Sequence, residues 1–140
     1  MLKRAQQNTQ KLLFPQEIEV WVVLPALRKA FAVHLIKAGM PQKKVAQLMG
    51  VTEAAVSQYK NGKRAHETAI TGELSVEVSK CIPQILKNPK ILFQEMMRVN
   101  NFIKTSGLFC KIHRLKSQTP DGCENMCAYG SHASAGVHHG

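Results

Sequence analysis

Three cysteines fall within eighteen residues, at Cys110, Cys123 and Cys127, and Cys81 is the only other thiol in the chain. Thiolates are the ligands that iron–sulfur clusters need, and four of them suit a [4Fe–4S] cluster. In that arrangement Cys81 reaches in from a preceding helix. Thr119, Pro120, Asp121 and Gly122 form a turn that can fold the chain back between Cys110 and Cys123. His113 follows Cys110 in a CxxH spacing and offers an alternative fourth ligand, which would make a Cys3His zinc site. The spacing alone does not decide, because structural zinc more often uses CxxC knuckles than CxxH followed by CxxxC. Thiols that switch by forming a disulfide are a third possibility. Cys81 taken alone also reads as a small buried hydrophobe. A cysteine paired with His113 would supply a nucleophile and a base. No Gly-rich phosphate loop and no paired carboxylates accompany them, and only nine acidic residues are present, so an enzyme is disfavoured.

A second chemistry lies in the stretch QKKVAQLMGVTEAAVSQYKN, residues 42–61. Ala46 is small where two helices must approach. Gly50 is free to take the positive φ of a tight turn. Val45, Met49, Val51, Val56 and Tyr59 are apolar at inward positions. Thr52 can cap the second helix through its exposed backbone N–H groups. This is the pattern of a helix-turn-helix, and it leaves Thr52, Glu53, Ala54, Ser57 and Gln58 on the outer face, where a DNA major groove would meet them. Gln58 can bond adenine N6 and N7 together, and Ser57 is the other candidate for a base edge. Glu53 can accept from a cytosine amine or stabilise the helix N-terminus. Gln42 stands at a helix N-terminus, where backbone amides already favour phosphate. Lys60, Lys63 and Arg64 follow the recognition helix and suit phosphate clamps. An ordinary helical hairpin is the alternative reading.

These groups need a scaffold. The 140 residues carry a net charge of +10 and 44% apolar residues, enough for a modest core and a strong bias toward a polyanionic partner. No apolar run approaches the roughly 18 residues of a spanning helix, and the N-terminus is too polar for a signal peptide, so a cytoplasmic address and no membrane partner are expected. No strand pairing is visible, so the expected class is all-α. Residues 1–14 read as a flexible basic arm. Residues 15–66 form the helix-turn-helix domain. Within it IEVWVV, residues 18–23, taken alone could be a strand. From Leu24 the spacing of Leu24, Leu27, Phe31 and Leu35 is helical, with Pro25 in the first turn of that stretch, so a helix is expected over 17–38 with Gly39 as its end. His34 is a surface or half-buried residue without a role. Residues 67–107 are a helical dimerisation region. Residues 65–72 read as a connector across its start, 73–86 as a helix broken or kinked near Pro83, and Asn88–Pro89 as the capped start of the last helix. That helix carries a seam of Leu92, Met96, Val99 and Ile103 and ends at Gly107. The seam suits a homodimer, and a two-fold dimer presents two recognition helices to a pseudo-palindromic duplex. Residues 108–129 are the cysteine-rich loop, and 130–140 a flexible tail.

The segment from Phe14 to Ala65, with LPALR in its first helix, QKKVAQLMGVTEAAVSQY in the motif and NGKR after it, resembles the XRE (Cro/repressor-type) helix-turn-helix transcriptional regulators. It is most similar to a small prokaryotic subfamily that pairs this domain with a cysteine-bearing C-terminal segment. The likeness is strong in the first half and rests on the cysteine pattern in the second. Members of that subfamily often carry a cysteine before the first helix, where this chain has Gln16. The resemblance implies a Cro/repressor-like bundle that binds double-stranded DNA and a C-terminal centre that senses redox or iron state.

Overall fold

The first helix starts where Glu17 reaches back: its Oε1 accepts from the Phe14 amide at 2.8 Å, and Pro15 occupies the first position, which needs no donor. The computed structural model describes residues 12–61, 68–119 and 123. Helix α1 covers Pro15–Ile18, a π-helical turn covers Glu19–Val23, and α2 covers Leu24–Lys37. Pro25 therefore sits well inside a helical run and not in its first turn. Proline has no backbone N–H, so the Trp21 carbonyl lacks a donor four residues on, and the wider winding coincides with that missing bond. Helix α3 is Gln42–Met49, α4 is Glu53–Asn61 and α5 is Thr68–Lys87. A 3-10 turn at Pro89–Ile91 leads into α6, Leu92–Thr105, and α7 is Leu108–Lys116. The architecture is all-α, with no strand among the described residues. No helix among them is long and apolar enough to cross a membrane.

The chain divides into two units, one formed by residues 24–101 and the other by 1–23 together with 102–140. In the first, α2 packs against α3, α4 and α5. Leu27, Phe31 and Leu35, the positions whose spacing predicted a helix, are all buried. Val45, Ala46 and Val56 meet them from the motif helices, and Leu74, Val78, Ile82 and Ile85 come from α5.

Helix α5 corrects two expectations. Residues 68–72, read as connector, are helical, and the helix passes through Pro83 without a break. Pro83 costs the Ser79 carbonyl its partner, about 3 kcal/mol or more. The helix buries Leu74, Val78, Ile82 and Ile85 on one face, each worth about 1.5–3 kcal/mol, so the face outweighs the proline. Asn88 does precede the next helical segment, but its side chain makes no capping bond; its carbonyl accepts from Ile91 N–H at 3.1 Å. The expected dimer seam is also corrected. Leu92, Val99 and Ile103 are buried and Met96 is half-buried within a single chain, so these side chains are already covered.

In the second unit α7 packs against α1. Residues 108–116 were expected to be loop. They are helical because Leu108, Phe109 and Ile112 bury one face. Gly107, two residues past the end of α6 at Thr105, takes φ +88° and so ends that helix by the left-handed turn expected of it, and the same residue opens α7. Leu13 is held from both sides: its amide donates to Ser117 Oγ at 2.8 Å, and its carbonyl accepts from His113 Nε2 at 2.7 Å. Part of the expected flexible arm is thus tied down. Lys104 Nζ pairs with Glu19 at 2.8 Å.

Candidate nucleic-acid interface

Two short helices and one turn build this surface. Helix α3 ends at Gly50, whose φ of +68° sends the chain sharply toward α4. Gly50 N–H donates to the Gln47 carbonyl, and Val51 N–H to the Ala46 carbonyl, which closes the end of α3. A Cβ at Gly50 would meet nothing within 4 Å, so an alanine there is opposed by the backbone conformation alone. Gly50→Ala is expected to cost about 1–2 kcal/mol, measured as a lower urea midpoint with an unchanged slope. Thr52 Oγ1 then accepts from Ala55 N–H at 3.0 Å and caps α4. Gln42 Nε2 donates to the Glu53 carbonyl at 3.4 Å, which links the first turns of the two helices.

Beneath this surface Val45 and Val56 are fully buried, Ala46 is nearly so, and Met49, Val51 and Tyr59 are half-buried. Above it Thr52, Glu53, Ala54, Gln58 and Lys60 are exposed, and Ser57 is half-buried. Lys43 and Lys44 are exposed beside Gln42 and add positive charge to the start of α3. Their place next to Gln42 was the signal that sequence reading passed over. Lys63 and Arg64 lie outside the described residues.

Residues 34–77 match the family model described as Helix-turn-helix. They form a helix-turn-helix domain. The match covers 44 of the 140 residues, so it describes this domain and not the whole chain. It supports a DNA-binding transcriptional regulator. No curated protein and no solved structure matches the chain significantly.

His34 and Ser75, near the two ends of the helix-turn-helix domain, are hydrogen-bonded to each other. The His34 Nδ1–H donates to the Ala30 carbonyl at 2.8 Å, and Ser75 Oγ lies 3.0 Å from Nε2, which accepts the hydroxyl proton in the neutral ring. His34 therefore ties α2 to α5, a role its sequence position did not suggest.

The candidate metal ligands are distributed. Cys81 is buried in the unit of residues 24–101, in no disulfide, and its sulfur is engaged: Arg98 Nη2 donates to it at 3.0 Å and its thiol faces the Glu77 carbonyl at 3.5 Å. Burial, and then the hydrogen bond with Glu95, push the thiol up to about 11, against the pull of Arg98. A thiol that holds its proton more tightly when folded gives stability that is complete below the ordinary value of 9.0 and is lost as pH rises toward 11. Stability should therefore fall across that window, and Cys81→Ala should flatten the profile, as read from denaturant midpoints at each pH. His113 is buried with its Nε2 occupied by Leu13, so that nitrogen is not presented to a metal. Cys110, on α7, and Cys123 are half-buried. Cys127 lies outside the described residues. Among the described residues no three His, Cys, Asp or Glu side chains converge on a point that could hold a metal ion.

Proposed function

We propose that the chain is a cytoplasmic, sequence-specific transcriptional regulator that binds double-stranded DNA as a two-fold dimer. One observation carries this reading: α4, capped by Thr52 and backed by buried Val56, presents Glu53, Ala54, Ser57 and Gln58 outward next to Lys60, in a chain of net charge +10. The helix fits a major groove, and the charge supplies the affinity for phosphate. Selecting bound duplexes from a random pool with the full chain tests it. The expected result is one enriched pseudo-palindromic motif, with affinity that falls steeply as salt rises. Enrichment of no motif, with equal affinity for all duplexes, would show a non-specific binder. Sedimentation of the free protein and of its complex reads the dimer directly.

The finer part of the proposal is that Cys110, Cys123 and Cys127 hold a cysteine-ligated centre, an iron–sulfur cluster before zinc, that senses redox or iron state. The cysteine pattern of residues 108–129 and the partly exposed positions of Cys110 and Cys123 support it. Three thiolates leave one ligand position to fill, and Cys81, or alternatively His113, is the sequence's candidate for it; each would exchange its present hydrogen bond, Cys81 with Arg98 and His113 with Leu13, for the metal. The test is the visible spectrum of protein purified without oxygen, with iron, sulfide and zinc assayed on the same sample. Brown protein with stoichiometric sulfide supports a cluster, and colourless protein with about one zinc per chain makes the centre a structural staple.

A further inference from the structure

A cavity of about 270 Å³ opens beside the helix-turn-helix, and no residue of α4 lines it. We propose that this cavity is an effector site for a short-chain aliphatic carboxylate, with the alkyl chain in the cavity and the carboxylate on Arg28. Three methionines line it, Met49 from the last turn of α3 and Met96 and Met97 from α6. Thioether side chains are flexible and polarisable, so they adapt to an apolar guest. Phe93, 72% exposed, and Met97, 57% exposed, leave an apolar rim open to water. The polar end of the lining is Arg28 and the amide of Asn100. Arg28 makes no hydrogen bond or ion pair among the described residues, although ion pairs are formed by Arg98, Lys80 and Lys104. A guanidinium beside an apolar pocket pairs best with a planar carboxylate, which it can grip with two parallel bonds. The volume lies just below the usual range of small-molecule sites, roughly 300–1,000 Å³, which excludes a nucleotide or a polycyclic ligand and suits a short chain.

The site has a route to DNA. Met49 immediately precedes Gly50, whose left-handed turn sets the direction of α4. A guest that moves Met49 biases that turn, so the carboxylate and the operator each change the affinity of the other by the same factor. This consequence, unlike the binding itself, rests on the proposed DNA-binding function.

The experiment titrates the full chain, without DNA, with hexanoate, octanoate and octanol, and follows the heat of binding and the methionine methyl signals. Octanoate is expected to saturate the protein, about three- to fourfold more tightly per methylene than hexanoate until the cavity fills. Octanol should bind at least tenfold more weakly, and Arg28→Gln, a change at an exposed position, should bring octanoate down to the level of octanol. The signals of Met49, Met96 and Met97 should shift together. Equal binding of octanoate and octanol, unaffected by R28Q, would overturn the proposal and leave adventitious apolar binding only. So would a wild-type dimer that binds no carboxylate and that Met97→Asp splits into monomers, since the cavity would then belong to a second copy. Operator affinity is measured separately, with and without octanoate, so a protein that binds octanoate but no operator refutes the DNA reading and leaves the site standing.

Discussion

Phe31→Ala should destabilise the fold by about 3–5 kcal/mol, the range for truncating a buried aromatic. Phe31 is fully buried on α2, the helix that packs against α3, α4 and α5. Domains of this kind are stable by roughly 5–15 kcal/mol in total, so the variant should lose a large part of that margin and with it the scaffold of α4. Phe93→Ala is the control: the same chemical change at a side chain that is 72% exposed should cost within about 0.5 kcal/mol. Denaturant titrations of the two variants beside the parent decide the matter. Equal midpoints for all three would mean that α2 is not the centre of the core.

Gln58→Ala should weaken operator binding by about 5- to 150-fold, the roughly 1–3 kcal/mol expected for one bidentate base contact. Gln58 is exposed on α4, so the fold should be unchanged. Affinity for random duplex should stay the same, and so should the slope of affinity against salt. Lys60→Ala should behave in the opposite way, weakening all duplexes alike and lowering the salt slope by about one. Competition assays at several salt concentrations separate the two. A Gln58 variant whose preference for operator over random duplex equals the parent's would remove this residue from base readout.

The helix-turn-helix was legible because its constraints are local. Ala46, Gly50, Thr52 and Val56 each answer a requirement set within about ten residues, and all four behave as their types dictate. The repeat of Leu27, Phe31 and Leu35 likewise marked the buried face of α2. What failed depended on distant partners. A proline is a breaker by local rules, yet Pro83 sits on an exposed face of a helix anchored by its other side. Around Cys110 and His113 the ligand-like residue types drew attention from the plainer pattern of Leu108, Phe109 and Ile112. The partner of His113 is a backbone carbonyl one hundred residues away, which no spacing rule could name.

That last bond bears on how the protein is made. Leu13 is gripped by side chains 100 and 104 positions later, so the first helix leaves the ribosome long before its partners exist. Residues 24–101 close their contacts among themselves and can fold during synthesis, while the residues before them must wait for α7. Loop closure over such a span is slow compared with forming a helical hairpin, so the pairing of the two chain ends should be the late kinetic phase of folding. A chain that stopped before Ser117 would keep every residue of the helix-turn-helix but leave the Leu13 amide without its acceptor.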